Sequence, residues 1–236
     1  MLIRTLQDLE PLGNIRYPAG NAFRSARFLT AQDGFGFSYN ENKISKTQDL
    51  TVWLKHHWEA NYILDGSGEV TDLTSGEHWP LRPGTLYVVG PNDRHRLQLS
   101  AGECHLSIFH PALRGDEAFD EDGAYEASGP IPKTDRRMFV NRDGENRRIQ
   151  ATPLPLLTAT DEVGFTLDDL QLGSGAECTL APGAAAHIIS GTGEASAAGR
   201  RAPVGPSTLV AAEAGETVSL SAQHPLHLVQ IKATGP

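Results

Sequence analysis

The chain has 236 residues, a net charge of −9, 39% hydrophobic and 21% charged residues, the balance of a globular protein rather than a disordered one. The acidity comes with no basic run, which argues against nucleic acid as a partner. No apolar run reaches the roughly 20 residues that span a bilayer, so no membrane partner is expected either.

Two cysteines, Cys104 and Cys178, stand far apart and outside any CxxC pattern. A disulfide framework is therefore not expected. The opening residues also lack a long apolar core, and the location that fits is the reducing cytoplasm.

Along the chain, Leu2, Ile3, Leu6 and Leu9 predict a strand followed by a short helical turn. From Phe28 to about Phe109, short β-type runs alternate with turn signals at Asp33-Gly34, Asp65-Gly66, Ser75-Gly76 and Pro83-Gly84. Residues 114–135 are acidic and poor in apolar residues, and they lead into a linker, SGPIPKTDRR. After about residue 136 a second β-type pattern begins, clearest in GFTLDDLQL, ECTLAPG, AHIISGTGEASA, STLVAAEAGETVSLSA and PLHLVQIKA. With 24 Gly and 15 Pro, much of it in short turns, the chain reads as all-β.

The densest chemistry lies in WEANYILDGSGE (Trp58–Glu69) and RPGTLYVVGPNDRH (Arg82–His95). Glu59 followed by Gly66 resembles the first signature of the cupin barrel; Pro83-Gly84, Pro91 and His95 resemble the second. Gly66 and Gly68 are expected to supply turn conformations that a Cβ resists. Glu59 and His95 are expected to point from adjacent strands into one cavity. A carboxylate, a phenol (Tyr87) and an imidazole are acceptable ligands for a divalent metal such as iron.

The segment His187–Glu194 registers on Tyr62–Glu69 at an offset of 125 residues, and Thr208–Val210 falls on Thr85–Tyr87. An internal repeat of a barrel means a bicupin, two small jelly-roll β-barrels in one chain, with boundaries expected at 1–130 and 136–236. In the repeat Glu59 falls on Ala184, Tyr87 on Val210, and His95 near Thr217. These side chains cannot hold a hard divalent metal. His187, His224 and His227 read as histidines satisfied by ordinary hydrogen bonds rather than as ligands.

Residues 1 to about 127 resemble ectoine synthase more closely than cupins in general. The resemblance rests on MLIRTLQDLE, GFGFSYNENKI (Gly34–Ile44), TVWLKHHWEANYILDGSGEV (Thr51–Val70), RPGTLYVVGPNDRH and FHPALRGDEAFDEDGAY (Phe109–Tyr125). It implies an iron(II)-dependent lyase, with another divalent metal as the alternative. In this reaction the free amine of an N-acetylated diamino acid attacks the acetyl amide within the same molecule, water leaves, and a cyclic amidine forms. By resemblance the metal ligands fall on Glu59, Tyr87 and His95. His57, two residues before Glu59, is a fourth ligand, a residue behind the ligands, or a rim histidine. Glu117 falls on an acidic position near the substrate and is the candidate for proton transfer, beside Tyr87; the alternative for Glu117 is one carboxylate among several on a solvated loop. Phe109 falls on a pocket aromatic, and Arg27 on a basic position suited to a substrate carboxylate.

Four pocket positions depart from the family. Phe23 stands for Trp, Asn42 for Thr, Leu54 for Tyr and Ser107 for Cys. Intact ligand candidates beside altered walls suggest that metal chemistry persists while specificity has moved. The rival readings are a cupin isomerase or oxygenase acting on another small polar metabolite, and a non-catalytic ligand-binding bicupin. Family dimerisation suggests that the second barrel packs against the first in a partner's place; further homodimerisation is open.

Overall fold

The computed structural model describes residues 1–131, 134–146 and 150–234; Pro132 and Lys133 of the expected linker lie outside them. Strand makes up 51% and helix 7%. The strands in chain order are β1 (Leu2–Thr5), β2 (Ile15–Arg16), β3 (Phe23–Leu29), β4 (Ser38–Ile44), β5 (Gln48–Trp53), β6 (Trp58–Asp65), β7 (Gly68–Asp72), β8 (His78–Leu81), β9 (Leu86–Val89), β10 (Arg94–Leu99) and β11 (Cys104–His110). They continue as β12 (Phe139–Asn141), β13 (Gln150–Leu157), β14 (Phe165–Leu172), β15 (Glu177–Leu180), β16 (Ala184–Ser190), β17 (Gly193–Ala197), β18 (Arg200–Val204), β19 (Thr208–Ala211), β20 (Val218–Ala222) and β21 (Leu226–Ala233).

The chain divides into two compact units. The first spans Gly13–Asn146 with Glu162–Gly164; the second spans Met1–Leu12, Arg147–Asp161 and Phe165–Pro236. In the first, one sheet runs β12-β9-β6-β11-β4-β3-β2 and the other β5-β10-β7-β8; in the second they run β1-β19-β16-β21-β14-β13 and β15-β20-β17-β18. Each unit is thus a two-sheet jelly roll of the cupin type rather than a closed barrel. Both cores come from strand alternation. In the first unit Leu54, Ile63, Val70, Leu81, Val89 and Leu97 cluster with Tyr87 and Phe109. In the second Leu170, Leu180, Ile188, Val210, Val218 and Leu228 cluster with a run of small alanines.

The first twelve residues correct the expected boundary. The strand and helical turn form as expected, the turn Leu6–Leu9 being closed at its start by Thr5 and Asp8 capping one another. They belong to the C-terminal unit, however. β1 pairs antiparallel with β19 from Leu2↔Ala211 to Thr5↔Thr208, and the Met1 ammonium pairs with Glu213 at 2.6 Å and with Glu216. A four-residue strand carries little pattern of its own. Its place goes to the sheet with an open edge, here β19, which has β16 on its other side.

Gly66 and Gly68 also divide their roles differently from expectation. Gly66 has φ +84, the left-handed region. Gly68 has no such backbone; it is small because a Cβ would stand 2.5 Å from the Gln98 carbonyl across the β7–β10 ladder.

Candidate active site

A cavity of about 320 Å³ opens in the first unit, lined from both of its sheets. Glu59 on β6 and Tyr87 on β9 reach it from one sheet, and His95 on β10 from the other. The expectation that Glu59 and His95 lie on adjacent strands is therefore corrected: they converge because the two sheets face inward together, not because their strands pair. Phe23, Asn42, Leu54, Ser107 and Phe109 line the same cavity, and Phe119 and Tyr125 enter it from the segment after β11.

Three expected site residues lie outside the cavity lining, and each is held by that same segment. Glu117 accepts the backbone N–H of Gly115 at 2.8 Å and that of Arg114. Its oxygens hold a turn rather than face the cavity. Arg27 is buried and donates to the Gly115 carbonyl. His57 precedes β6, so strand alternation does not turn it toward Glu59. Its Nε2 lies 2.9 Å from the Ser128 hydroxyl, and its ring meets Phe109 and Tyr125 edge to face. Glu117, Arg27 and His57 therefore pin residues 115–128 over the cavity.

The electrostatics follow from burial. Desolvation raises the Glu59 carboxyl above the ordinary carboxylate range, although Asn61, His105 and Ser107 pull it back. No Lys or Arg among the described residues forms an ion pair with it. Desolvation, helped by Glu59 and Glu103, holds the Tyr87 phenol well above its ordinary value. The same effect lowers His95 against Asp93 and Asp72. His95 is thus disposed to be a neutral imidazole, with Nδ1 3.4 Å from the Asp93 carbonyl.

The sequence of residues 1–129 matches the family described as Ectoine synthase. The chain belongs to the ectoine synthase family. The L-ectoine synthase of Oceanobacillus iheyensis is 38% identical over 125 residues, 53% of this chain and 96% of that protein. That of Mycobacterium sp. (strain KMS) is 39% identical over 127 residues, 54% and 97%. At the level of the family the activity is that of a hydro-lyase. Beyond the matched half the likeness is of fold alone. Protein Ylba from E. coli superposes with a TM-score of 0.71 at 12% identity over 97% of this chain and 89% of that one. Bacillus subtilis oxalate decarboxylase, a protein with Mn(II) centres, superposes at 0.68 and 12% over 99% and 77%.

In the ectoine synthase family frame, the donor set fits a divalent ion. Glu59 is a half-buried carboxylate that no Lys or Arg among the described residues pairs with, and a carboxylate, a phenol and an imidazole line one cavity. Among the described residues no group of three or more His, Cys, Asp or Glu is placed to hold a metal; the third donor here is the phenol of Tyr87. In the second unit, Ala186 pairs with Val210 as Asn61 pairs with Tyr87, so Val210 stands where Tyr87 does. Pairing of Gly193 with Ala222, as of Gly68 with Leu99, puts Val218 rather than Thr217 at the place of His95. His224 and His227 are separately bonded, to Thr192 at 2.8 Å and to Asp169 at 3.0 Å.

Sequence reading missed His105, which lines the cavity with its Nδ1 2.8 Å from buried Glu103. The signal was present in alternation: His105, Ser107 and Phe109 are two apart on β11 and share a face. Asn61 was missed for the same reason, two residues after Glu59 on β6.

Proposed function

We propose that the protein is a metal-dependent, ectoine-synthase-like lyase whose N-terminal unit closes an N-acylated diamino acid into a cyclic amidine, with substrate preference shifted from the family's. The convergence of Glu59, Tyr87 and His95 from two sheets on one cavity carries this reading. Those three side chains would hold the ion, iron(II) before other divalent metals. The chemistry a divalent ion supplies at such a site is polarisation of the amide carbonyl.

The chain's own residues do the rest. Phe23, Leu54, Phe109 and Tyr125 form apolar walls that hold a small substrate curled and exclude water. Tyr87, kept protonated by burial when no ion is bound, would give up that proton on holding the ion, and its place in the lining makes it the candidate, with Glu117, for moving a proton during the reaction. The C-terminal unit, apolar where the first is polar, has a structural role. The setting proposed is the reducing cytoplasm, in keeping with two unpaired cysteines, with a small molecule as the partner.

The test is metal content and turnover of anaerobically purified full-length protein. About one divalent ion per chain is expected, lost in the Glu59→Ala, His95→Ala double variant. Cyclic amidine should form from N-acyl diamino acids, weakly from N-γ-acetyl-diaminobutyrate itself. Restoring Trp, Thr, Tyr and Cys at positions 23, 42, 54 and 107 should raise that rate. A metal-loaded protein that cyclises no N-acyl diamino acid overturns the reading.

A further inference from the structure

The residues that match the family end at 129, yet the first unit continues to Asn146. Residues 134–146 run back along the whole length of β9, the strand that carries Tyr87. At one end Asn92 Nδ2, in the turn between β9 and β10, donates to the Thr134 carbonyl at 3.1 Å and to that of Arg136 at 3.4 Å. In the middle β12 takes the open edge of β9, with Val140 opposite Tyr87. At the far end Thr85 Oγ1 donates to Glu145 at 2.7 Å, and Arg142 pairs with the same Glu145.

Arg137 is the residue of this segment that reaches behind His95. Its Nε donates to Asp93 Oδ1 at 2.7 Å, and its Nη2 to Asp72 Oδ1 at 3.1 Å. The two carboxylates flank the histidine in different ways. Asp93 lies two residues before it, and the Asp93 carbonyl stands 3.4 Å from His95 Nδ1. Asp72 is its partner across the β7–β10 ladder. Asp93 is wholly buried and Asp72 nearly so. No other Lys or Arg among the described residues pairs with either. Each carboxylate also holds backbone: Asp93 accepts the Gly90 N–H at 2.9 Å, and Asp72 that of Thr74 at 2.8 Å. One planar guanidinium thus ties the turn before β10 to the end of β7 through separate nitrogens, a geometry a point charge does not fix.

We infer that Arg137 is a positioning residue, which holds the His95 imidazole with Nδ1 on the Asp93 carbonyl and leaves Nε2 for a metal ion. The role of His95 as a ligand rests on the proposed function above. A ligating histidine is oriented by what its other ring nitrogen meets, and loosening that partner weakens the metal. Without Arg137 two buried like charges face each other across the strand that carries His95, and the turn that fixes the ring relaxes. The second unit fixes its matching turn with the Met1 ammonium on Glu216, two residues before Val218. That turn carries no ligand, so a clamp that serves folding alone is the rival reading.

The experiment measures Co(II) binding to anaerobically purified full-length protein by chelator competition, with the Co(II) absorption spectrum as a second readout. Arg137→Ala should weaken Co(II) about tenfold or more and shift the spectrum, the usual result of removing a group that orients a ligand. Asp72→Asn keeps Arg137 on Asp93 but cuts the bridge to β7; it should weaken Co(II) about threefold or more. Arg142→Ala releases the far end of the same segment and should stay within about twofold, since it touches no ligand's support. A loss below about threefold in whichever of Arg137→Ala and Asp72→Asn fold overturns the inference. So does an equal loss in Arg142→Ala, which would assign the effect to the segment as a whole. Either result leaves the proposed function standing. A parent protein that takes up no Co(II) overturns the proposed function instead. Amide exchange of the metal-free protein then decides on Arg137: faster exchange across residues 90–96 in Arg137→Ala but not in Arg142→Ala upholds the positioning role, and unchanged exchange removes it.

Discussion

At matching register, the first unit turns Glu59, Asn61, Tyr87, His95 and His105 inward where the second turns Ala184, Ala186, Val210, Val218 and Leu228. The scaffold tolerates both sets, since the backbone ladders are the same. The energetics differ. The second unit's set is apolar and joins a continuous core, so each side chain adds to stability. The first unit holds a half-buried carboxylate, Glu59, that desolvation pushes toward its neutral form, among the buried polar side chains of Asn61, His95 and His105. Such an interior costs stability and persists where a site requires it. The contrast separates what a jelly roll needs in order to fold from what it needs in order to bind.

Four changes would break or sharpen this contrast. Ala184→Glu places a carboxylate at the position of Glu59 without Tyr or His partners. It should destabilise the second unit by about 3–5 kcal/mol, the cost of an uncompensated buried charge. Denaturant unfolding checks this, and a change under about 1 kcal/mol would show that the second interior is wetter than its apolar lining implies. Deleting residues 1–12 strips β1 from β19 and removes fully buried Leu9. The C-terminal unit should lose about 2–4 kcal/mol, from one buried leucine and a strand edge. Hydrogen exchange at β16 and β19 should accelerate while β6 and β11 stay protected. Equal acceleration in both units would undo the assignment of the N-terminal strand.

A third change concerns pH. Burial first, with smaller contributions from His56, His110 and Arg114, lowers His57 to about 4 from 6.5, against the pull of Glu117. The unfolded chain therefore binds a proton that the folded one refuses. Stability from this group is complete above about pH 6.5 and falls as pH drops toward 4, by on the order of 2–3 kcal/mol. Melting of the metal-free protein followed between these pH values should show the loss in the first unit. His57→Gln, which can still bond Ser128, should flatten it. The smallest effect is expected from Glu59→Gln. Because burial raises the Glu59 carboxyl, its charge opposes folding at neutral pH. The variant should stabilise the metal-stripped protein by about 0.5–2 kcal/mol, the usual gain when a strained site is relaxed, and abolish metal retention. A lower melting temperature would show that Glu59 is compensated in a way its surroundings do not reveal.

The sequence by itself determined the all-β class, the two-unit plan, the family, and the replacement of Glu59 and Tyr87 by Ala184 and Val210 in the repeat. Each of these rests on local signals. Turn glycines such as Gly66 and Gly84 mark strand ends, alternation marks faces, and the motif around Glu59 and His95 is contiguous in each hairpin. It also placed Phe23, Asn42, Leu54, Ser107 and Phe109 in one set, which the structure gathers around one cavity. Only the tertiary structure decided the rest. β1 joins the C-terminal unit because an open edge, not its own four residues, selects its partner. Glu117, Arg27 and His57 serve the segment over the cavity rather than its lining, because backbone N–H and carbonyl groups in that segment had to be met first. The hydrogen bonds that link Glu103, His105, Asn42, Ser107 and Asn61 span strands that are distant in sequence and adjacent only through register. Long-range hydrogen bonds of this kind leave no local pattern, and that is why the cavity's lining was partly legible while the network among its polar side chains was not.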